Sequence, residues 1–238
     1  MINSRQPCGN FILDSLPQAE YDHLRPHLQT VDLRLNEVLI GIDQSIEQVY
    51  FPINALVSLV RSTIEGDSVE LGVTGYEGVV GLPLLLNHDR SIWEAGVQLA
   101  GRALCLNARV FAAMLPELEV LRSKVMDYTF LKLVQVSQSA VCNRFHTVEQ
   151  RLCRWLLVAS DSVQTPELAL TREILASMIG ANRPSVSIVT GTLQTAGLIR
   201  AVRGRVTILD REEMEEATCE CYHVMKRDTD RYLQHSER

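Results

Sequence analysis

The sequence predicts an α+β fold with a β-barrel or β-sandwich first, one long helix next and a winged helix-turn-helix last. Apolar residues recur at every second position in short runs through residues 31–108, a pattern typical of short strands. Near residue 109 the apolar spacing changes to three and four, and no Gly or Pro occurs from 117 to 146, which indicates a helix. Between 171 and 209, two short helical patterns joined by a glycine precede a hairpin pattern.

The first domain is predicted over residues 11–115. Residues 13–29 fit short helices with polar faces. Alternating pairs such as Val49 and Phe51 mark separate strands, and glycines at 72, 75, 78 and 81 mark turns or close backbone approaches. Many short strands at this spacing favour a barrel or a sandwich.

Residues 116–145 are predicted to form a single helix of about 25 residues, from their helical apolar period. The apolar positions are Leu118, Leu121, Val125, Tyr128, Leu131, Val134, Val141 and Phe145. One apolar stripe on a long helix between two domains predicts a dimer seam, in which Leu121 and Val125 would pack against a second copy. The alternative is a helix that packs only on its own barrel.

Residues 147–210 predict a second, mainly helical domain. Val148–Ser160 fits one helix, and residues 161–167 fit a turn-rich loop. Thr171 suits an N-cap and Gly180 suits the end of a helix. Pro184 falls in the first turn of the next helix, where its missing N–H costs nothing. Two short helices joined by a tight turn of this kind form a helix-turn-helix.

Residues 198–209 predict a basic β-hairpin, or wing, directly after the second helix. Arg203, Gly204 and Arg205 form its turn, and arginines beside a glycine suit contacts with phosphate. An ordinary helical hairpin followed by an ordinary β-hairpin is the alternative. The ordered set of helix, glycine turn, helix and basic hairpin favours binding to double-stranded DNA. An acidic helical tail is predicted over 211–238.

The net charge of −6 argues against nucleic-acid binding until its distribution is considered. Residues 1–146 carry 11 basic and 16 acidic side chains, residues 147–210 carry 7 and 5, and residues 211–238 carry 5 and 8. All seven basic residues of the middle segment are arginines, the side chain that forks onto phosphate and guanine. The one basic segment therefore coincides with the predicted helix-turn-helix.

Residues 147–210 resemble the DNA-binding domain of the cyclic-AMP-receptor/FNR (CRP/FNR) family of bacterial transcription regulators. The resemblance rests on 148–157 (VEQRLCRWLL), 170–186 (LTREILASMIGANRPSV) and the wing. More loosely, 49–52 (VYFP) and 75–83 (GYEGVVGLP) resemble the effector domain of one branch of that family. This resemblance implies an N-terminal cyclic-nucleotide-binding-like β-roll (a jelly roll), a dimerisation helix over 116–145, a homodimer on an inverted-repeat operator, and RNA polymerase as a further partner.

The resemblance also implies which residues contact DNA. Arg183 matches the arginine that reads guanine, and Arg205 matches the basic wing residue. Pro184 and Ile188 depart from the family, which has Glu and a second arginine there, so the operator sequence is expected to differ. The expected DNA-contacting residues are Thr171, Asn182, Arg183, Pro184, Ser185, Ser187, Ile188, Arg203 and Arg205.

An effector site of this family holds a cyclic nucleotide through an arginine, a helix N-terminus and a glutamate on the ribose. Arg90 and Ser91 resemble the phosphate-binding pair, Val79 stands at the glutamate position, and Ser137 on the long helix could face the pocket. Because valine cannot accept the ribose hydrogen bond, cyclic AMP is expected to bind poorly. The alternatives are a solvated turn without a ligand, a different small-molecule effector, and a cyclic mononucleotide.

The cysteines and histidines give no recognisable metal motif. The six cysteines show no disulfide or zinc-finger spacing, and an FNR-like iron–sulfur cluster needs N-terminal cysteines where only Cys8 occurs. Cys219, Cys221 and His223 could bind a metal or sense oxidants, but an exposed helix surface is the favoured interpretation. His146 is expected to be an isolated surface or core residue, so no metal ligand is assigned.

Other classes of function are disfavoured by missing motifs. The sequence has no nucleophile elbow, P-loop or dinucleotide fingerprint, so neither catalysis nor a cofactor is expected. No apolar run is long enough to span a bilayer and residues 1–7 lack a signal-peptide pattern, so a cytoplasmic location without a membrane partner is expected. The alternative function is a cyclic-nucleotide-responsive interaction module that does not bind DNA.

Overall fold

Two antiparallel sheets form the N-terminal half of the protein. In the computed structural model, which describes residues 6–66 and 68–234, one sheet has the strand order β1-β7-β3 and the other β2-β6-β4-β5. Their inner faces share an apolar core that includes Val49, Phe51 and Val97. The strands are β1 (Gln29–Leu33), β2 (Val38–Ile40), β3 (Gln48–Pro52), β4 (Leu56–Ser62), β5 (Ser68–Thr74), β6 (Glu94–Leu99) and β7 (Gly101–Asn107).

Short helices close the ends of this β-roll. They are α1 (Phe11–Asp14), α2 (Gln18–Leu24), α3 (Ala108–Met114) and two 3-10 turns at Arg25–His27 and Leu82–Leu86. Gly78 is required by close packing, because a Cβ atom there would lie 1.9 Å from the Tyr128 ring. Gly81 has φ +119°, a conformation that favours glycine. The predicted fold class, with a β-roll and a long helix, is confirmed.

The long helix α4 (Glu119–Phe145) has two apolar faces rather than one. Leu121 and Val125 are fully buried in the core of the chain's own β-roll. The prediction that they form a dimer seam is therefore wrong. The opposite face carries exposed apolar side chains, and periodicity alone could not tell which apolar face meets which neighbour. This face, called the seam face below, consists of Met126, Phe130, Leu133, Ser137, Val141 and Phe145.

The C-terminal domain starts at α5 (Val148–Val163), where Thr147 and Gln150 form a capping box. Helix α5 is longer than predicted, and the expected loop over 161–167 contains the start of a short strand that pairs with the wing. The remaining elements are β8 (Glu167–Leu168), α6 (Arg172–Met178), α7 (Arg183–Thr195), β9 (Ile199–Val202), β10 (Arg205–Ile208), α8 (Arg211–Ala217) and α9 (Glu220–Gln234).

The last helix, α9, folds back along α4 instead of projecting into solvent. The Tyr232 hydroxyl donates to the Glu77 carbonyl at 3.0 Å, which ties the helix to the β-roll. The expectation of an exposed surface at Cys219 and Cys221 is wrong, because both side chains are buried, while His223 is exposed. Residues 235–238 of the predicted tail lie outside the described residues.

The two domains meet across a buried polar contact. Glu70 on β5 accepts hydrogen bonds from the Trp155 indole N–H at 2.8 Å and from the Ser58 hydroxyl at 2.6 Å. Burial raises the pKa of Glu70, although these two hydrogen bonds oppose the shift. Trp155 belongs to α5, so this carboxyl fixes the C-terminal domain against the β-roll. Within the described residues, no helix has the length and apolar character needed to cross a bilayer.

Candidate nucleic-acid interface

Two capped helices build the helix-turn-helix. The Thr171 hydroxyl accepts a hydrogen bond from the backbone N–H of Ile174 at 3.3 Å and starts α6. Gly180, at φ +58°, provides the turn after α6. The Asn182 side chain then accepts from the backbone N–H of Ser185 at 2.9 Å and starts α7.

Helix α7 buries one side and exposes the other near its N-terminus. Val186, Thr190 and Leu193 point into the core of the domain. The Arg183 side chain is 70% exposed, Pro184 is exposed, and Ile188 is 71% exposed. Ser185 and Ser187 are half-buried beside them. The residues predicted to read DNA therefore share the exposed edge of α7, which is the end that a recognition helix presents to the major groove.

Arg183 is held by an acidic neighbour on α6. Its guanidinium lies 3.3 Å from the Glu173 carboxylate. The pKa of Glu173 is lowered by a backbone hydrogen bond at the helix start, then by Thr171 and Arg183, so the carboxylate is charged at neutral pH. A ligand that binds the Arg183 guanidinium must therefore compete with this ion pair.

The wing lies next to the start of α6. Strands β9 and β10 pair in register from Arg205 opposite Val202, and Arg203 (φ 49°) and Gly204 (φ 75°) form the two-residue turn. Arg205 opens β10 rather than lying in the turn, and it forms an ion pair with Glu167 on β8. A cleft of about 330 Å³ brings Thr171, Arg203 and Arg205 together.

Three of the four residues predicted for an effector are engaged within the β-roll. Arg90 is exposed and its guanidinium donates to the Asp43 carbonyl at 2.5 Å. The Ser91 hydroxyl is buried and donates to the Trp93 carbonyl at 2.6 Å, and Val79 belongs to the apolar core. Ser137, which could face such a pocket, lies on the exposed seam face of α4.

Sequence reasoning missed the acidic partners of the two central arginines. Glu173 and Glu167 each pair with an arginine of the predicted DNA surface. The position of Glu173 in a first helical turn is only a weak indication of a partner, because acidic residues are common there through their interaction with the helix dipole. Glu167 carries none, because it reaches Arg205 only through the pairing of β8 with β10.

Comparison with known proteins agrees with this geometry. Residues 150–217 match the family model of the Crp-like helix-turn-helix domain. No curated protein matches the sequence significantly.

Solved structures with the same fold span most of the chain. FixK2 from Bradyrhizobium japonicum is similar with a TM-score of 0.69 and 15% identity, over 81% of this chain and 98% of that one. The c-di-GMP responsive global regulator CLP from Xanthomonas campestris has a TM-score of 0.63 and 16% identity, over 82% and 100%. A CRP-family transcriptional regulator from Thermus thermophilus has a TM-score of 0.64 and 20% identity, over 79% and 95%.

Proposed function

We propose that this chain, which carries a Crp-like helix-turn-helix domain on the fold of the CRP/FNR-type regulators, is a transcription regulator that binds its operator as a homodimer. The observation that carries the proposal is the exposed N-terminal end of α7, where Arg183 pairs with Glu173, a residue that shares a cleft with the basic wing. A helix end of this kind enters the major groove while the wing meets phosphate. Such a regulator acts in the cytoplasm, where the chromosome lies, with RNA polymerase as a further partner.

The homodimer is supported by the seam face of α4. Phe130 and Leu133 are 68% and 61% exposed, although large apolar side chains on a helix are normally covered. They recur at steps of three and four along α4, as in a helical dimer seam. A second copy of this chain would cover the seam face and bring two recognition helices to one duplex. The operator is then an inverted repeat with half-sites about one helical turn apart.

The operator is found first by sequencing genomic fragments that the purified protein retains. Arg183→Ala and Arg205→Ala are then titrated against the operator and a scrambled duplex at several salt concentrations. An arginine that donates two hydrogen bonds to guanine contributes about 1–3 kcal/mol of discrimination between bases. Arg183→Ala should therefore weaken operator binding and reduce the sequence preference at one base pair per half-site. Arg205→Ala should weaken binding to both duplexes. It should also reduce the slope of log binding constant against log salt concentration by about 1 per subunit.

The matched control is Arg227→Ala, which removes an exposed arginine on α9, outside the helix-turn-helix and wing. This variant should bind both duplexes like the wild type. If Arg183→Ala lowered binding to operator and scrambled duplex equally, its assigned role in base reading would be wrong. Failure of the wild type to retain any fragment would favour the interaction module without DNA binding.

A small-molecule effector, if one gates DNA binding, is not expected to be cyclic AMP. Val79 offers no acceptor for the ribose hydroxyl, and Arg90 is engaged by the Asp43 carbonyl. Calorimetry with cyclic AMP and cyclic GMP should show no binding tighter than roughly 100 μM, given the missing hydrogen bond. Micromolar affinity would contradict this prediction and restore Arg90 and Ser91 as effector-binding residues.

A further inference from the structure

Four side chains of metal-ligand type converge where α4 ends and α9 begins. Cys142 is in the last turn of α4, and His146 follows one turn later at the helix end. Cys219 and Cys221 flank the first residue of α9. The three sulfurs and one ring nitrogen all lie within 4.8 Å of one another. None of these residues belongs to the DNA-binding surface or to the predicted effector site.

Two distances in this cluster are close to those around a single tetrahedral ion. The Sγ atoms of Cys142 and Cys219 are 3.6 Å apart, and Cys221 Sγ is 3.4 Å from His146 Nδ1. A tetrahedral zinc ion holds two thiolates about 3.8 Å apart, and a thiolate and an imidazole nitrogen about 3.5 Å apart, from bond lengths of about 2.3 and 2.0 Å. We propose that Cys142, His146, Cys219 and Cys221 bind one zinc ion.

The neighbours of the cluster are those that a metal centre needs. His146 turns Nδ1 toward Cys221, while its Nε2 lies 3.3 Å from the Glu220 carboxylate. A carboxylate on the outer nitrogen of a ligating histidine fixes the tautomer and strengthens the ligand. The Gln138 amide N–H donates to Cys221 Sγ at 3.1 Å, a contact that stabilises a thiolate.

The charge around the cluster also suits an ion. Three thiolates, a neutral imidazole and Zn²⁺ sum to a net charge of −1. Arg154 is 5% exposed, and its Nε atom has no hydrogen-bond partner among residues 6–66 and 68–234. The guanidinium interacts electrostatically with Cys142 and also with Glu70. A buried arginine needs nearby negative charge, and an anionic zinc centre would add to that of Glu70.

The geometry disfavours the other occupants of a cysteine cluster. An iron–sulfur cluster distributes its thiolates over several irons, so it needs sulfurs farther apart than those of a shared single ion. A catalytic zinc keeps one position open for water, whereas four protein ligands close the coordination sphere. The site is therefore structural or regulatory.

The ion would clamp the hinge between the two domains. Cys142 and Cys219 are 77 residues apart in sequence, and the helix-turn-helix and wing lie between them. Closing a loop of this length removes conformational freedom from the chain between the ligands. The effect of the ion on DNA binding rests on the function proposed above, but the metal site itself does not.

The first test is the metal content of the full-length chain, expressed with zinc and purified in reductant. Mass spectrometry of the elements should find about one zinc per chain, as expected for a closed four-ligand site. Cys142→Ser and Cys219→Ser should each lower the zinc content at least tenfold. The matched control is Cys153→Ser, which alters a buried cysteine outside the cluster and should keep the zinc. His146→Ala should lose the metal, whereas His223→Ala should keep it.

A second measurement does not depend on the folding of a variant. Zinc is removed from the wild type with a chelator, and Co²⁺ is added as an optical probe under reductant. Tetrahedral cobalt–thiolate absorption should appear at one equivalent and vanish when Zn²⁺ is added. Glu220→Gln should form the same spectrum with an affinity lower by about 10–100-fold, as expected for an outer-sphere partner.

Three results would overturn the proposal. In the first, the reduced wild type binds neither zinc nor cobalt. In the second, Cys153→Ser loses as much zinc as Cys142→Ser. In the third, Cys142 and Cys219 form a disulfide that persists in reductant. Equal DNA affinity of the zinc-loaded and zinc-free wild type would refute the clamp. Zinc binding without any DNA binding would instead refute the proposed function and leave the metal site in place.

Discussion

Substituting Phe130 by Glu tests whether the seam face of α4 holds the dimer together. Phe130 is 68% exposed, and full burial of such a side chain contributes about 3 kcal/mol at most. Covering the exposed fraction is thus worth about 2 kcal/mol per protomer, or about 4 kcal/mol per dimer. Loss of about 4 kcal/mol raises the dimer Kd by about three orders of magnitude. Burial of two carboxylates adds a further cost.

Sedimentation velocity over a wide range of protein concentrations measures this Kd directly. The control is Leu86→Glu, which places the same charge at a leucine that is 64% exposed but lies at the end of a 3-10 turn of the β-roll. This control should remain as dimeric as the wild type. If Phe130→Glu shows the same Kd as Leu86→Glu, the seam face does not form the interface. Leu121→Glu should instead unfold the β-roll, because Leu121 is fully buried within it.

Two further predictions concern stability. Burial raises the pKa of Glu70 above its ordinary 4.5, so the folded state keeps the carboxyl proton to higher pH than the unfolded state does. The stability contributed by this bound proton is therefore complete below pH 4.5 and is lost as pH rises through the raised pKa. Urea unfolding at a series of pH values should show this loss, and Glu70→Gln, which keeps an acceptor for Trp155, should remove it; an unchanged pH profile would refute the assignment. Gly78→Ala should destabilise the protein by about 3 kcal/mol through the clash with Tyr128, whereas Gly191→Ala, with no atom within 4 Å of the new Cβ, should stabilise α7 by about 1 kcal/mol. Equal thermal midpoints for the two alanine variants would contradict the packing.

Local chemistry made the helix-turn-helix predictable. The caps at Thr171 and Asn182 each involve a backbone N–H three residues away, and Pro184 acts within its own turn. A sequence pattern contains all the information for such features. The centre of the wing turn is local in the same way, since Arg203 and Gly204 both have positive φ, but Arg205 belongs to β10 and not to the turn as predicted.

Features that depend on distant partners were not predictable. Strand β8 is two residues long and exists because it pairs with β10, about 40 positions later in the chain. Cys219 and Cys221 suggested His223 as a neighbour in sequence, whereas the fold places them beside Cys142 and His146. The sequence separation between the Cys142–His146 pair and the Cys219–Cys221 pair matches no motif, because it depends on the whole domain that folds between them.

Helix α4 shows most clearly why periodicity found a buried face but assigned it to the wrong partner. The side toward β5 contains polar residues that the fold buries, since Lys132 and Gln135 are 3% and 4% exposed and bond to each other at 2.8 Å. The Lys132 ammonium also donates to the Val73 carbonyl, and burial lowers its pKa to about 8. A lysine is buried at this cost only where its partners are fixed. These polar contacts therefore set the rotation of α4 on the β-roll, and that rotation leaves Phe130 and Leu133 facing outward. The predicted stripe through Leu121 and Val125 is buried, as its period requires, but a hydrophobicity pattern does not say whether the β-roll or a second copy covers it.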